Sequence, residues 1–391
     1  MQVPIMMRNI HSSKVFIFTT IIGFVLITQQ SIIHLIQTSE SNVTVDNTSF
    51  STRDSINNDT KLHNKVETYA PAPVEVAIMQ NLIEWGWDKA ERSVKGCSIW
   101  LDDKAEIYDS LHAFRAELKD YYEKVDSYIN SVKNIMEVVR EGITVVEQEN
   151  LCKSLRIHPE GLNAVFPSKQ LSKSSRTGYM EPLTTPMRHP DFCNNRKALM
   201  DMKYMVHDYE AMCLSLKSTS RIVLIDMGAS LSFHRRDVVP IVHLLNEYKK
   251  FGFVFDHIYG FEITQQDPNE VYNDLLPEEF MSSYHWINVG VNATHGGKLN
   301  PLDSILRSFN EDDLVVVKLD VDTTSVEVPL AKQLLNDDSL NKLVDQFYFE
   351  HHVFMNEIAP WWGTSMEGSL KDTFDLFSAL REKAVATHFW P

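Results

Sequence analysis

Apolar residues in the second half of the chain fall into short β-branched runs that alternate with longer amphipathic stretches. A short apolar run bounded by turn residues is typical of a buried strand, whereas a period of three to four residues indicates a helix. On this basis we predict strands at 222–225, 255–263, 285–291, 314–319, 345–349 and 384–390, and helices at 238–250, 270–280, 301–309, 326–335 and 369–382. Alternating strands and helices predict an α/β fold: a Rossmann-like, doubly wound, mostly parallel sheet with helices on both faces.

Polar residues follow four of the predicted strands. They are Asp226, Glu262, Asp320 with Asp322, and Glu350 with His351 and His352. Each of them alone is as readily a capping residue or a solvated turn. In a parallel sheet, however, the carboxyl ends of the strands meet at one edge, where ligands bind. Their shared placement therefore predicts one crevice that gathers them.

The clearest helical periodicity lies at 103–142, where apolar or aromatic residues recur four and three positions apart. This is a heptad pattern, with Asp103 and Glu106 as a capping box and Gly142 as the C-terminal cap. A helix of that length would span roughly 60 Å. It either projects as a stalk that supports a homodimer or breaks and packs across its own chain, and we favour packing. The Pro-rich segment 144–195 predicts a loop-rich connection or lid, and 196–216 a helix that leads into the first strand.

The first 75 residues predict a membrane-anchored arrangement. Residues 15–37 contain a mostly apolar run that is long enough to span a bilayer, and a cleaved signal peptide is the alternative. Arg8 and Lys14 precede the run, so the positive-inside rule places the body in the lumen of the endoplasmic reticulum or Golgi. The domain organisation is then a tail at 1–14, an anchor at 15–37, a stem at 38–75, a helical and loop-rich region at 76–195 and a catalytic domain at 196–391. The sequons lie at Asn42, Asn47, Asn58 and Asn292.

Charge and cysteine content narrow the choice of partners. The net charge of −16 argues against a nucleic-acid partner, because an acidic surface repels a phosphate backbone. Four cysteines at 97, 152, 193 and 213 lack the spacing of a zinc site. They form up to two disulfides in an oxidising compartment, or remain as four buried thiols.

Four motifs carry a resemblance to a known family: LIDMGASLS at the first strand, YGFEI at the second, VVVKLDVDTTSVEVPL at the fourth and FYFEHHV at the fifth. Over roughly 220–391 the chain resembles the FkbM-type methyltransferases that depend on S-adenosylmethionine. Lys318, Asp320, Val321, Glu327 and Val328 match the pattern of that family at the fourth strand. Ser230, Ser232, Thr323 and Ser325 depart from it, and Asp322 replaces a glutamate.

The resemblance implies an O-methyltransferase of the class I type that acts on a hydroxyl of a sugar or lipid-like acceptor. It implies that Asp226, Gly228, Ser230 and Glu262 bind the cofactor S-adenosylmethionine. Asp320, Asp322 and His351 are then the candidate catalytic residues, because the acceptor hydroxyl must lose a proton to a carboxylate or a histidine. This interpretation assigns no metal site.

Two alternatives come from the same residues. Asp320-Val321-Asp322 is a D-x-D motif, so a luminal glycosyltransferase would use it to hold a divalent metal and a sugar diphosphate. A membrane-tethered interaction protein would instead use the heptad helix and bind neither cofactor. Trp361 and Trp362 either line an acceptor pocket or belong to the core, and we favour the core.

Overall fold

The computed structural model describes residues 69–102, 107–128, 134–157, 178–231 and 239–391. The predicted tail, anchor and nearly all of the stem lie outside these residues, as do the proposed capping residues Asp103 and Glu106. Within the described ranges, no helix combines the length and apolar character that crossing a bilayer requires.

A six-stranded sheet forms the centre of the described body, and its order is β3-β2-β1-β4-β5-β6. The strands are β1 Ile222–Met227, β2 His257–Phe261, β3 Tyr284–Ile287, β4 Leu314–Leu319, β5 Gln346–Phe349 and β6 Ala386–Phe389. Every adjacent pair is parallel. The α/β Rossmann-like expectation is therefore confirmed. The chain order reverses between β1 and β4, which is the place where open parallel sheets form a ligand crevice.

The central strands are buried on both faces. All six residues of β1 and all six of β4 are buried, and so are all four of β5 and of β6. Because successive side chains point to opposite faces, this pattern requires cover on both sides of the sheet. The β-branched run of β4, LVVVKL, meets this requirement and follows the predicted boundaries.

The helices vary in length more than the periodicity predicted. The α-helices are α1 Pro73–Asn81, α2 Ser98–Leu101, α3 Tyr108–Ser127, α4 Ile135–Arg140, α5 Val145–Lys153, α6 Tyr209–Ser215, α7 Pro240–Lys250, α8 Pro268–Glu270, α9 Pro301–Ser304, α10 Thr324–Asn336, α11 Asp338–Asn341, α12 Ala359–Trp362 and α13 Leu370–Glu382. A π-helical turn, Val271–Leu275, follows α8. The 3₁₀ turns are Pro190–Cys193, Arg196–Met200, Glu278–Phe280 and Leu306–Ser308.

The heptad segment does not form one continuous helix. Helix α3 ends at Ser127, where Tyr128 adopts an extended backbone, and α4 begins at Ile135 with the Asn134 side chain as its cap. The seam side chains of α3, including Leu111, Phe114 and Leu118, are buried within the chain's own core. The favoured prediction, a break with packing across the body, therefore agrees with the structure. The apolar seam that motivated a homodimer is covered by the chain itself.

The prediction of one helix at 196–216 is wrong. Only Arg196–Met200, a 3₁₀ turn, and Tyr209–Ser215 are helical. Between them Asp208 caps α6 by accepting from the Ala211 amide at 2.9 Å. A side-chain cap starts a new helix at that point, so one periodic run becomes two short elements.

The described body begins before residue 76, inside the segment predicted as stem. Glu75 lies in α1 and forms a buried ion pair with Arg381 of α13 at 2.8 Å. Its carboxylate also accepts from the Tyr69 hydroxyl at 2.7 Å and the Leu183 amide at 2.7 Å. The polar composition of the stem concealed this contact, because its partner lies more than 300 positions away.

The four cysteines form two disulfides, Cys97–Cys193 and Cys152–Cys213. Of the two alternatives left open by the sequence, pairing is therefore the one observed. Cys97–Cys193 lies within the helical and loop-rich region, whereas Cys152–Cys213 joins that region to α6 of the following domain, at separations of 96 and 61 positions.

Candidate functional site

A cavity of about 380 Å³ opens at the carboxyl ends of β1, β4 and β5. This is the topological switch of the sheet, where the sequence predicted the crevice. Its polar lining consists of Arg188, Asp226, Ser230, Lys318, Asp320, Asp322 and Glu350, and its aromatic lining of Trp361, Trp362 and Trp390.

The turn after β1 brings its backbone against the turn that follows β4. Gly228 has a φ of +92°, and a Cβ at this position would lie 1.6 Å from the Asp320 carbonyl oxygen. Only glycine fits both the left-handed backbone and this close approach. The sequence prediction of a tight turn here therefore has a specific steric reason.

Asp226 is the least satisfied charged side chain of the cavity. It is fully buried, lines the cavity, and neither of its carboxylate oxygens makes a hydrogen bond. Lys318 lies 3.3 Å from Oδ1 as an ion-pair partner. Burial raises the pKa of Asp226, and the Lys318 ammonium only partly opposes the rise. A buried acceptor in this state favours a ligand that brings a donor or a positive charge.

Lys318 links the two strand ends. Its Nζ donates to the Gly228 carbonyl at 2.6 Å and lies 3.1 Å from Asp320 Oδ2. Burial alone would lower the pKa of Lys318, but Asp226 and Asp320 outweigh it and raise the pKa. Lys318 is therefore a fixed positive charge between the β1 and β4 turns.

Ser230 and Glu262 meet at the end of β2. The Ser230 hydroxyl donates to Glu262 Oε2 at 3.0 Å, and the Thr264 amide donates to Oε1 at 2.6 Å. Ser230 lines the cavity, whereas Glu262 is buried behind it. A carboxylate has about four acceptor positions, so each oxygen can take a further hydrogen bond. Ser232 lies outside the described residues.

The turn after β4 accommodates the departures from the family pattern. Asp322 has a φ of +54°, a left-handed conformation that Asp tolerates better than most residues. Thr323 has a φ of −140°, which is extended backbone open to a β-branched side chain. Glu327 Oε1 accepts from the Val321 amide at 2.8 Å, and the Ser365 hydroxyl donates to the Asp322 carbonyl at 2.8 Å. The loss of glycine at 323 therefore adds no left-handed strain.

Four potential metal-ligating side chains converge at the ends of β4 and β5: Asp320, Asp322, Glu350 and His352. One ligand atom from each lies within 4.8 Å of every other. The sequence placed all four near one crevice but assigned roles only to the two aspartates. Residues Glu350 and His352 are two positions apart, so the alternation of an extended chain predicts that they share a side.

Glu350 is anchored from the protein side. Its Oε1 accepts from the Arg188 guanidinium and from Trp362 Nε1 at 2.8 Å. Burial opposes ionisation of Glu350, but Arg188 and His352 outweigh it and lower its pKa. Burial raises the pKa of the neighbouring Asp320 despite its lysine partner. Arg188 lies in the Pro-rich segment, and no spacing in the sequence connects it to β5.

His351, a predicted catalytic residue, does not line the cavity. Its Nδ1 makes a hydrogen bond with the Thr373 hydroxyl at 3.0 Å, and burial lowers its pKa to about 3. His352 points toward the carboxylates instead, with Nε2 3.0 Å from Glu350 Oε2. Burial would lower the pKa of His352, but Glu350, Glu327 and Asp320 outweigh it and raise the pKa to about 9. The structure therefore places His352, not His351, beside the cavity carboxylates Glu350 and Asp322.

Three tryptophans form the apolar side of the cavity. Trp361 is 50% exposed, Trp362 is 8% exposed, and both line it together with Trp390. The favoured assignment of Trp361 to the core is therefore wrong. The short helix α12 ends at Trp362 and leaves Trp361 at the surface.

Comparison of the chain with known protein families, curated proteins and solved structures finds no match.

Proposed function

We propose that the chain is an O-methyltransferase of the class I type that uses S-adenosylmethionine and acts on a hydroxyl in the cavity. The observation that carries the proposal is Asp226: a fully buried carboxylate without a hydrogen bond, aimed into a cavity at the topological switch. Lys318 gives this carboxylate an ion pair but no hydrogen bond, and the ammonium and hydroxyl groups of the cofactor would supply the missing donors.

The residues around Asp226 fit such a cofactor. Gly228 leaves the backbone open to close approach, and Ser230 offers a hydroxyl at the cavity wall. Glu262, reached through Ser230, retains acceptor capacity for ribose hydroxyls. When bound, S-adenosylmethionine supplies an electrophilic methyl group, which an acceptor oxygen takes as the sulfur–carbon bond breaks and the hydroxyl proton leaves.

Asp320 is the residue that we assign to removal of that proton. It lines the cavity at the end of β4, together with the three tryptophans of the apolar side. Burial raises the pKa of Asp320, which makes its carboxylate a stronger base than an exposed one. The aromatic faces of Trp361 and Trp362 favour a sugar or another ring-shaped acceptor.

Glycosyl transfer is the second candidate, favoured by the convergence of the D-x-D aspartates with Glu350 and His352. The charge of the cavity opposes it. Its two lining cations are both paired with carboxylates, Lys318 with Asp226 and Asp320, and Arg188 with Glu350. A sugar diphosphate would therefore enter a site in which lining carboxylates outnumber the cations.

Isothermal titration calorimetry of the full chain separates these functions. S-adenosylhomocysteine is titrated in one arm, Mn²⁺ with a nucleotide sugar diphosphate in a second, and Mn²⁺ alone in a third. We expect one S-adenosylhomocysteine site per chain. Binding of the sugar nucleotide but not of S-adenosylhomocysteine would overturn the proposal in favour of glycosyl transfer, and binding of neither would favour an interaction protein.

The Glu262→Ala variant tests the second-strand acid. Loss of its acceptor oxygens should remove most of the affinity for S-adenosylhomocysteine, whereas the surface control Glu279→Ala should retain it. Unchanged affinity in Glu262→Ala would remove this residue from the cofactor site.

A further inference from the structure

We propose that Asp320, Asp322, Glu350 and His352 form a divalent-cation site at the cavity edge, with Mn²⁺ as the best-fitting ion. The site rests on the geometry of these side chains. Only the role of the ion toward the acceptor rests on the proposed methyltransferase function.

The spacing of the four ligand atoms matches a shared ion. Ligands on opposite sides of a divalent cation lie about 4–5 Å apart, since each sits about 2.1–2.4 Å from the ion. The largest separation in the cluster is 4.8 Å, so one ion can reach all four atoms. The turn after β4 directs Asp322 back toward the cluster through its left-handed backbone.

His352 gives the independent indication of a ligand. The side chain is fully buried, and neither ring nitrogen makes a hydrogen bond. Its Nε2 approaches Glu350 Oε2 to 3.0 Å and Asp322 Oδ1 to 3.9 Å, outside hydrogen-bonding geometry. Adjacent ligands of an octahedral ion lie about 3 Å apart without bonding to each other. An approach of 3.0 Å without a hydrogen bond also fits two ligands of a common cation, and the cation would replace the proton that the flanking carboxylates favour on His352.

A second carboxylate lies on the other side of the His352 ring, near its Nδ1 but without a hydrogen bond to it. Nδ1 lies 3.6 Å from Glu327 Oε2, which is itself buried and without a hydrogen bond. A carboxylate behind the ring fixes the orientation of a metal-ligating histidine. Glu327 is held in turn by the Val321 amide on Oε1. We therefore assign Glu327 as a positioning residue.

The donor set selects the type of ion. Three carboxylates favour Mg²⁺, Ca²⁺ or Mn²⁺, whereas an imidazole favours softer ions. Mn²⁺ accepts both donor types. Asp322 is 86% exposed, so the site opens toward solvent and the cavity and leaves coordination positions for an outside oxygen.

The acceptor is then a compound that presents a hydroxyl to the ion, such as a sugar with neighbouring hydroxyls. With the ion bound, Asp320 acts as a ligand and no longer as the base. The cation lowers the pKa of the coordinated hydroxyl, and the proton leaves to solvent, toward which the site opens at Asp322. The adjacent tryptophans would hold the ring of this acceptor.

Binding of MnCl₂ alone to the full chain tests the site by electron paramagnetic resonance and calorimetry. We expect one ion per chain in the wild type. Asp322→Asn should weaken binding at least about 10-fold, because an amide is a poorer ligand while Asn still tolerates the left-handed backbone. His352→Phe should abolish binding, and Glu327→Gln should weaken it about 10-fold through loss of ring orientation.

The neighbouring variant His351→Asn is the matched control and should bind Mn²⁺ as the wild type does. Absence of a stoichiometric Mn²⁺ site in the wild type, or wild-type affinity in both Asp322→Asn and His352→Phe, would overturn the proposal. Mn²⁺ binding without S-adenosylhomocysteine binding would leave the cation site standing and reject the methyltransferase function. Binding of S-adenosylhomocysteine without binding of Mn²⁺ would reject the cation site and leave the methyltransferase function standing.

Discussion

Two groups of ionisable side chains in this chain differ in how many of their polar atoms make hydrogen bonds. The closed network consists of Tyr69, Glu75 and Arg381. All five N–H groups of Arg381 have acceptors, on Tyr69, Glu75, Glu181 and Thr387. The Glu75 carboxylate accepts four hydrogen bonds.

The open cluster consists of Arg188, Asp226, Glu327 and His352. Each of its members has at least one buried polar atom without a hydrogen bond, although each also has an ion-pair partner. A fully paired network stabilises a fold, whereas an unpaired buried group costs free energy unless a ligand completes it. We therefore infer that the closed network stabilises the body, and that a ligand completes the hydrogen bonding of the open cluster.

The largest expected effect on stability comes from a variant that breaks the closed network. Arg381→Met leaves the Glu75 carboxylate buried without its counter-charge, so we expect a loss of about 3–5 kcal/mol in the free energy of unfolding. Urea denaturation measures this loss. The surface control Arg307→Met, which removes exposed pairs with Asp303 and Asp337, should cost less than about 1 kcal/mol. Equal losses in the two variants would contradict the structural role of Arg381.

Asp208 is intermediate between the closed network and the open cluster. Asp208 accepts from the Ala211 and Tyr179 amides, and among the described residues no cation donates a hydrogen bond to it. Burial raises its pKa from 3.8 to about 6. Because the folded-state pKa is raised, this residue favours folding below about pH 4, and that contribution is lost as the pH rises through 6. The rise corresponds to at most about 3 kcal/mol, since the side chain is only partly buried.

The Asp208→Asn variant keeps the helix cap but removes the titration. We expect it to be the more stable protein above pH 6 and to lose the decline in stability between pH 4 and 6. Thermal unfolding across this range measures the difference. An unchanged pH profile would show that Asp208 titrates normally.

The smallest expected effect on stability, and the largest on binding, comes from the open cluster. Asp226→Asn removes a buried charge whose pKa is raised, while Lys318 keeps Asp320 as a partner. We expect the free energy of unfolding to stay the same or to rise by about 1–2 kcal/mol. Affinity for S-adenosylhomocysteine should fall at least about 10-fold, measured by calorimetry. A loss of stability comparable to that of Arg381→Met would move Asp226 into the structural class.

Sequence patterns predicted the sheet better than they predicted the site. The β4 run LVVVKL is buried on both faces, so its composition alone identifies it as a central strand. The heptad seam of α3 was equally clear, but the break after Ser127 left no signal in the periodicity. Local patterns report which side of an element is buried, and they do not report what covers it.

The site residues divide in the same way. Asp226 lies near the end of β1, Gly228 and Asp320 lie just after β1 and β4, and all three line the cavity at the predicted crevice. His352 was missed in favour of His351, although its i+2 relation to Glu350 would have identified it. Arg188, by contrast, reaches Glu350 across 162 positions, and no local pattern encodes such a contact. The same holds for Arg381 and Glu75.

Ligand-induced stabilisation in three proteins tests the central claim most directly. Thermal unfolding of the full chain is followed with and without S-adenosylhomocysteine in the wild type, Asp226→Asn and Arg381→Lys. Ligand that binds only the folded state raises the melting temperature by mass action. We predict a clear rise in the wild type and in the less stable Arg381→Lys, and little or none in Asp226→Asn. No rise in the wild type, or an equal rise in Asp226→Asn, would contradict the assignment of Asp226 to the cofactor site.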